Sequence, residues 1–483
     1  MRTLLGLLAL PMLLSAQGPL TSADSALIGR ILLAEDRRDS NDAVLRQAES
    51  HADARVRAFV LQARSRIRDP RFGWSDSLLS RAGATGARAA VAPTQWPEPA
   101  WRLRFRGLTA NRDDCQALRA AVSDSAWPVR LRAAALARAS CASDDSLARS
   151  FTGWVAALPS NTATRSAGAV SWHGAAHGIV ALARMRPAEA RSRLGGLATH
   201  GQWQVRMYAA RAAGVLSDTA MLRALARDRD DNVKEAAIEA LSRITGHTDD
   251  SIYLAALSSS GAPAVRAAAI ALKGSTRTDV RVAADVMFDR WAMRANASER
   301  DARVALIEAA GRPVTSDRPP PTRVELPPQA VALALGADVR LRVTMSDASG
   351  GGSYVVRLRG DVAPMMAARV LALATSGYYN SGNWHRVEHD FVIQGAGPGT
   401  NEYVGYKDYL RDELGTVPHA RGTVGMSTRA HDTGDAQWFI NLKDNLRLGR
   451  DYTVFAEVIE GIDVVDAVLE GDVIARIEVV RAR

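Results

Sequence analysis

A proline-rich segment at residues 312–328 divides the chain into two parts with different hydrophobic periodicities. Its sequence, RPVTSDRPPPTRVELPP, contains three consecutive prolines and a further pair. Such a run favours an extended, semi-rigid conformation and cannot continue a helix or a central strand. A chain of 483 residues is also longer than one hydrophobic core usually supports. We therefore expect a linker at 313–331, with one domain at 18–312 and another at 332–483.

The N-terminal part, rich in Ala, Leu and Arg, carries a short recurring pattern. A Val-Arg or Val-Lys pair begins each copy, and in four of the five copies an Ala follows four residues after the Val, on the same helix face. Successive copies are 28 to 76 residues apart, and the longest intervals are about twice a unit of 36–38 residues. The copies begin at Val56, Val129, Val205, Val233 and Val265.

Repeated pairs of helices at this spacing predict an α-solenoid. The pattern resembles that of the short bacterial HEAT repeats, and an irregular helical bundle is the alternative. The longest intervals imply that some intervening units lack the pattern.

The first residues have the features of an export signal. Arg2 supplies a positive charge, residues 4–14 form an apolar run, and Ser15-Ala16 offers small side chains for cleavage. The run is too short for a permanent membrane anchor. We therefore predict a signal peptide at 1–17, no stable membrane span, and an exported protein, periplasmic or secreted, of bacterial type. A buried first helix is the alternative.

The chain contains two cysteines, Cys115 and Cys141. In an exported protein they can pair across adjacent helices, whereas two buried thiols fit the sequence nearly as well. Neither has a second Cys or His at ligand spacing, and the pair His173 and His177 lacks a third ligand. We therefore expect no metal and no other cofactor.

Beyond the linker, apolar and polar residues alternate. Segments 339–345 and 354–358, separated by a glycine-rich turn, predict a β-hairpin. Helices are predicted at about 363–376 and near 462–469, and strands recur elsewhere. This part is predicted to be a mostly antiparallel closed β-barrel with about two helices.

One arginine of the C-terminal part needs an explanation. Arg386 lies in the segment 384–394, WHRVEHDFVIQ, which has the apolar residues of a strand. Its guanidinium keeps its proton at all ordinary pH values, and a permanent cation among apolar neighbours is costly without a partner or a task. Taken alone, the pattern favours a structural arginine, whereas the motifs that follow favour a functional one.

Five short motifs occur in order: YYN at 378–380, WHRVEHDFVIQG at 384–395, RGTVGMS at 421–427, QWFI at 437–440 and YTVFAEVIEGIDVV at 452–465. In this order they resemble the cyclophilin family of peptidyl-prolyl cis-trans isomerases. The resemblance covers about a third of the chain. It implies a barrel that accelerates rotation about X-Pro peptide bonds without a nucleophile, metal or cofactor.

The resemblance also implies roles for individual residues. Rotation about a peptide bond faces a barrier of about 18–20 kcal/mol, and a donor aimed at the prolyl nitrogen stabilises the twisted transition state. Arg386 matches this donor, Gln394 matches the glutamine that bonds the substrate backbone and orients the arginine, and Phe391 matches a wall of the proline pocket. The implied substrate-binding residues are Val392, Met426, Ser427, Thr428, Gln437, Phe439, Leu448 and Tyr452. On composition alone, the apolar members of this set suit a barrel core.

Several positions depart from the family pattern. Val392 replaces a Met and shortens one pocket wall, Ala396 replaces a Gly, and Ser427-Thr428 replaces Ala-Asn. Arg447 stands where the family often has Trp or Phe. Because the family's Trp hydrogen-bonds the cyclic peptide inhibitor cyclosporin, Arg447 predicts weak binding of that inhibitor.

The net charge of +9 is unevenly distributed. Residues 330–483 contain 16 Lys and Arg and 20 Asp and Glu, so the remainder carries about +13. A solvated arginine face on stacked helices explains this excess most simply. The export signal argues against nucleic acid as the partner, and an acidic envelope component or a client protein is a further possibility.

We therefore predict an exported peptidyl-prolyl cis-trans isomerase that assists the folding of exported, proline-containing polypeptides, with the helical repeats as a protein-interaction module. The altered positions Val392 and Arg447 leave a non-catalytic scaffold that binds proline-containing segments as the alternative. A third possibility makes the solenoid the main functional unit and the isomerase auxiliary to it.

Overall fold

The computed structural model describes residues 19–68, 92–158, 172–258, 261–294, 296–314, 325–415 and 417–481. The predicted signal peptide at 1–17 lies outside these ranges, as does most of the predicted linker at 313–331. Within them, no helix combines the length and apolar character needed to cross a membrane.

The described N-terminal residues are helical, as the periodicity predicts. The helices are α1 (Ser22–Arg37), α2 (Ala43–Ala48), α3 (Ala54–Arg68), α4 (Trp101–Ala110), α5 (Cys115–Ala121), α6 (Trp127–Leu136), α7 (Asp145–Ala156), α8 (Trp172–Met185), α9 (Pro187–Ala198), α10 (Trp203–Val215), α11 (Thr219–Leu225), α12 (Asp231–Thr245), α13 (Asp250–Ala256), α14 (Ala262–Leu272), α15 (Thr278–Ala292) and α16 (Arg300–Ala309).

Helices α4 to α16 build one continuous hydrophobic core. Helices α6, α8, α10, α12, α14 and α16 stack in succession, and the helices between them pack on the outside. Because each helix pair contacts mainly its neighbours, this is the arrangement of a solenoid. Cys115, at the start of α5, and Cys141, after α6, form a disulfide with their Cα atoms 5.5 Å apart.

In four of its five copies the recurring pattern marks the first turn of an inner helix, whereas the copy at Val56 lies in α3, outside this stack. In α10, Val205 and Ala209 are fully buried, while Arg206 donates from Nε and Nη2 to both carboxylate oxygens of Asp228 at 2.7 and 2.8 Å. The Val and Ala therefore pack the helix, and the Arg ties it to the loop before α12. Helix α8 lacks the pattern, as the long interval between two of the copies implies.

Helices α1 to α3 do not join this core. They form a separate hydrophobic cluster that includes Ala334 of the short helix α17 (Ala330–Ala334). Arg66 of α3 is fully buried, and it donates to the carbonyl of Val362 at 2.9 Å and to that of Leu414 at 3.0 Å. It also pairs with Glu35 at 2.8 Å. The first three helices are thus held by the C-terminal part of the chain.

The C-terminal part is a curled, eight-stranded antiparallel sheet in the order β3-β4-β6-β5-β7-β2-β1-β8. Helices α18 (Pro364–Thr375) and α19 (Ile462–Ala467) correspond to the two predicted helices, and the predicted hairpin is β1–β2. The strands are β1 (Val339–Met345), β2 (Ser353–Leu358), β3 (Arg386–Val387), β4 (Val392–Gly395), β5 (Thr423–Met426), β6 (Trp438–Asn441), β7 (Val454–Glu460) and β8 (Ile474–Arg481).

The mostly antiparallel prediction is confirmed, but the sheet is not a fully closed barrel. The edge strands β3 and β8 are not paired with each other, and β3 has only two residues. Backbone hydrogen bonds instead join the segments that precede them, including the bridge between Asn383 and Val473.

The inner helices of the solenoid contact the sheet domain directly. Nε2 of His173 lies 2.6 Å from the carbonyl oxygen of Glu470, and the hydroxyl of Tyr208 donates to the carboxylate of the same residue at 2.6 Å. Further along, Nδ2 of Asn232 donates to the hydroxyl of Thr400 at 2.9 Å. Successive helices α8, α10 and α12 therefore dock on one side of the sheet domain.

Helix α4 docks through a buried charge cluster. Arg102 is fully buried, and its Nη2 lies 3.3 Å from Oδ1 of Asp466, which Arg421 also binds bidentately at 2.9 and 2.6 Å. Burial lowers the pKa of Arg102, and the attraction of Asp466 opposes this shift. Because removing one partner would leave a buried charge unpaired, this cluster fixes the interface.

Candidate active site

A pocket of ≈ 330 Å³ opens beside strands β3 and β4. Nine of the eleven residues predicted for the site line it. These are Arg386, Phe391, Val392, Gln394, Ser427, Thr428, Phe439, Leu448 and Tyr452.

Strand register places the polar residues of this pocket. Arg386 on β3 pairs with Gln394 on β4, which in turn pairs with Phe439 on β6. Paired residues of antiparallel strands present their side chains on the same face of the sheet. Nη1 of Arg386 donates to Oε1 of Gln394 at 3.0 Å, and Nε2 of Gln394 donates to Oγ of Ser427 at 2.9 Å. This chain of hydrogen bonds orients the guanidinium.

A second part of the pocket lining is apolar and separate from the main core. Val392, Phe439 and Leu448 are buried together, and Phe391 and Tyr452 pack against them. The rings of Phe439 and Tyr452 meet edge to face, with their centroids 5.5 Å apart. The pocket therefore combines one oriented cation with a small apolar surface.

Gly425 allows Phe439 to form this wall. The two residues are register partners on β5 and β6. A Cβ atom at position 425 would lie 2.8 Å from both Cε atoms of the Phe439 ring, closer than carbon atoms normally approach. Glycine is therefore required here for the ring to lie against the strand.

Phe391 lies close to two guanidinium groups. The central carbon of Arg386 is 5.9 Å from the ring centroid, and that of Arg447 is 4.9 Å from it. Both distances are within the range of cation–π attraction. Arg447, identified above as a departure from the family pattern, thus forms part of the rim.

Two predicted site residues do not line the pocket. Met426 is fully buried in the core of the sheet domain, because successive strand residues face opposite sides and its neighbour Gly425 faces Phe439. Nε2 of Gln437 donates to the carbonyls of Asn401 and Val404 at 2.9 and 2.6 Å. Gln437 therefore anchors the adjacent loop, and the roles predicted for both residues stay predictions.

The rim also contains charged residues that the motifs did not indicate: Glu402, Arg429 and Asp451. Arg429 donates to the carbonyl of Glu402 and to the hydroxyl of Tyr409 and pairs with Asp301 of α16. These residues lie in irregular loops, which give no periodic signal in the sequence. The solenoid thus contacts a residue of the pocket itself.

His385, next to Arg386, is electrically neutral at ordinary pH. Neither of its shielded ring nitrogens has a hydrogen-bonding partner among the described residues. Burial, together with the positive charge of Arg386, lowers its pKa to about 4. Arg386 therefore has no cationic neighbour at position 385. Across the described ranges, no group of three or more His, Cys, Asp or Glu residues is placed to hold a metal ion.

The region of this chain that matches a known family is the sheet domain. The family described as cyclophilin type peptidyl-prolyl cis-trans isomerase/CLD matches residues 341–481. The chain is 35% identical over 128 residues to peptidyl-prolyl cis-trans isomerase B of Escherichia coli (strain K12), covering 24% of this chain and 78% of that protein. It is 33% identical over 127 residues to a peptidyl-prolyl cis-trans isomerase of Helicobacter pylori (strain ATCC 700392 / 26695), covering 26% and 78%. A crystal structure of a Cryptosporidium parvum cyclophilin type isomerase covers 30% of this chain and 99% of its own, with 22% identity and a TM-score of 0.28.

Proposed function

The chain belongs to the cyclophilin-type peptidyl-prolyl cis-trans isomerases, and from this membership we propose that the pocket beside Arg386 is where it catalyses rotation about X-Pro bonds. The observation that carries the proposal is the hydrogen-bonded series from Arg386 through Gln394 to Ser427. It holds a permanent cation at the edge of an apolar pocket.

The chemistry needs no covalent step. When the C–N bond of an X-Pro peptide twists, it loses its double-bond character and the prolyl nitrogen gains a lone pair. A guanidinium N–H directed at that nitrogen stabilises the twisted state more than the planar one, which lowers the barrier. Gln394 holds Arg386 for this task, while Val392, Phe439 and Leu448 hold the proline ring.

The direct test compares the full-length protein with Arg386→Ala in an NMR exchange measurement on a proline-containing peptide. Loss of the donor is expected to lower kcat/KM by roughly 10²–10³-fold. Arg476→Ala is the matched control because Arg476 is exposed, pairs with Glu478 and does not line the pocket. Equal rates for Arg386→Ala and the unaltered protein would rule out Arg386 as the catalytic group.

The alternative, a scaffold that binds proline-containing segments without turnover, rests on Val392 and Arg447. The same exchange measurement separates the two functions. A scaffold would show peptide binding in chemical shifts but no catalysed exchange between the cis and trans signals.

We also propose that the protein is exported and assists the folding of exported clients. The apolar run at 4–14 supports this, as does the Cys115–Cys141 disulfide, since such bonds persist in oxidising compartments. Mass spectrometry of the native protein after cell fractionation is the test. Export predicts a periplasmic or secreted form that lacks residues 1–17, and a cytoplasmic form that retains them would contradict it.

The helical repeats are proposed to bind client polypeptides through their outer surface, because their inner helices already contact the sheet domain. Helix α15 and the residue after it expose Val282, Val286 and Met293, which are 65%, 60% and 79% exposed and share one helix face. Changing all three to Ser should weaken suppression of client aggregation without changing isomerisation of a short peptide. Unchanged suppression would exclude this surface.

A further inference from the structure

A second cavity adjoins the catalytic pocket. It has a volume of ≈ 690 Å³ and lies between the solenoid and the sheet domain. We call it the flanking groove. Its walls are one face each of α10 and α12, together with residues 385, 386, 388, 400–403 and 470 of the sheet domain.

The flanking groove is continuous with the catalytic pocket because Arg386 and Glu402 line both. A polypeptide whose proline lies beside Arg386 must leave the pocket in two directions. One of these directions is open through the groove. The chain on that side of the proline would therefore run between the sheet domain and the solenoid.

Residues at helical spacing line the groove from the two helices. Trp203, Met207 and Arg211 lie four residues apart on α10, as do Glu235 and Glu239 on α12. Close packing keeps these two helices together, since a Cβ atom at Gly214 would lie 3.0 Å from that of Ala240. One side of the groove is thus formed by two inner helices that pack closely against each other.

Carboxylates outnumber cations along this surface. Five Glu residues line it, against three Arg residues: Glu235, Glu239, Glu388, Glu402 and Glu470, with Arg211, Arg243 and Arg386. Two of these arginines already interact with other residues of the protein. Arg386 bonds Gln394, and Arg211 stacks on Tyr208, 4.4 Å from its ring centroid, within the charge network of Glu470.

Glu235 and Glu239 share one cation. Arg266, outside the groove, lies 3.4 Å from Glu235 and 3.6 Å from Glu239. Burial, together with the neighbouring charge of Glu239, raises the pKa of Glu235 to about 7. An additional cation at this point would relieve the repulsion between the two carboxylates.

We propose that the flanking groove binds the polypeptide on one side of the X-Pro bond and selects a lysine or arginine side chain there. This rests on the proposed isomerase function and adds a substrate preference to it. The solenoid then contributes directly to substrate choice through α12, in addition to any contact made by its outer helices.

The test uses the full-length protein and a series of Ala-Pro decapeptides. Each carries Lys or Glu at one position within about four residues of the proline, on either side. We expect kcat/KM to favour Lys by about tenfold on one side only, a factor that corresponds to about 1.4 kcal/mol. The preference should shrink as salt is raised, because exposed charges are screened.

The decisive variant is Glu235→Gln together with Glu239→Gln, which should bring the Lys-to-Glu ratio close to one. Glu189→Gln together with Glu308→Gln removes the same charge from α9 and α16, away from the groove, and should leave the ratio unchanged. If the double variant unfolds, Glu239→Gln alone is the substitute, since this side chain is 45% exposed.

The outcomes separate the two proposals. Turnover without a charge preference, or a preference that survives the α12 variants, overturns the groove as a selective site and leaves the isomerase function intact. Absence of turnover on every peptide contradicts the isomerase function itself. In that case the affinities of the same peptides, measured by fluorescence anisotropy, still decide whether the groove selects cations.

Discussion

Arg386 and Gln394 are register partners on β3 and β4, and Nη1 of the arginine lies 3.0 Å from Oε1 of the glutamine. The pairing is local, since only eight residues separate them. A short hairpin therefore holds both the proposed donor and the group that orients it. Gln394 is itself held by Ser427, so the position of the guanidinium depends on β3, β4 and the residue that follows β5.

The first prediction concerns this orientation. Gln394→Leu removes the acceptor while keeping most of the side-chain volume, so Arg386 becomes free to adopt other rotamers. We expect kcat/KM to fall about tenfold or more, mainly through kcat, because misplacement by about 1 Å is costly in catalysis. Exchange NMR on a proline peptide measures the effect.

Ser427→Ala provides the graded comparison for the same series. It removes only the outer hydrogen bond of Gln394 and leaves the bond to Arg386 in place, so a smaller loss is expected. If Gln394→Leu retained full activity, Gln394 would not be positioning the arginine.

A second prediction concerns Arg447 and the inhibitor cyclosporin. An exposed Arg stands where related enzymes often provide a Trp donor to this inhibitor, and here it stacks on Phe391 at 4.9 Å. We expect only weak inhibition of the unaltered protein, and Arg447→Trp should lower the inhibitory concentration by about tenfold or more. Arg476→Trp, at an exposed position that does not line the pocket, controls for the added aromatic surface. Inhibition of the unaltered protein at nanomolar concentrations would refute the assignment.

A third prediction concerns the close contact between Gly425 and the ring of Phe439. Gly425→Ala places a methyl group against the Phe439 ring, which must shift toward the pocket. Overpacking of this kind costs about 1–3 kcal/mol of stability, and the displaced ring should also reduce kcat/KM for proline peptides. Thermal unfolding and the exchange measurement report the two effects.

Gly449→Ala is the matched control for this substitution, since among the described residues no atom beyond the adjoining ones lies within 4 Å of a Cβ at that position. It should leave both stability and activity close to those of the unaltered protein. If Gly425→Ala behaved in the same way, the close contact with Phe439 would not constrain the pocket.

A fourth prediction follows from the neutral state of His385, whose pKa is lowered to about 4 in the folded protein. An unfolded histidine titrates near about 6.5, so between these values the unfolded chain binds more protons. The stability contributed by neutral His385 is therefore present above about pH 6.5 and is lost as the pH falls toward 4, by at most about 3 kcal/mol.

His385→Gln removes this titration and isolates it from the carboxylates that also titrate in this range. Denaturant unfolding at several pH values should show a shallower loss of stability on acidification for the variant than for the unaltered protein. Parallel curves would mean that His385 does not titrate abnormally.

The sequence predicts those parts of the site that depend on local geometry. Arg386, Phe391 and Gln394 lie within nine residues of one another, so one hairpin determines their relation. Alternation along a strand limits what a motif match can predict at neighbouring positions. Gly425 and Met426 face opposite sides, and a motif match does not specify which neighbour faces the substrate.

Contacts between distant parts of the chain could not be predicted in this way. The hydrogen bond between Asn401 and Glu235 joins residues 166 positions apart. Asn401 lies in none of the motifs, and the repeat pattern around Glu235 specifies only the Val-Lys pair and the alanine that follows it. The flanking groove exists only because α10 and α12 dock beside Arg386. The helical pattern predicts that α10 and α12 stack on each other. The charged residues on their other faces do not indicate that these faces lie beside the sheet domain.

The separate cluster of α1 to α3 has a consequence for the order of folding. Arg66 is bonded to carbonyls 296 and 348 residues further along the chain. During synthesis Arg66 emerges long before these partners, so its hydrogen bonds to the two carbonyls can form only after the sheet domain has been made. Helices α1 to α3 and the sheet domain therefore depend on each other for the burial of Arg66.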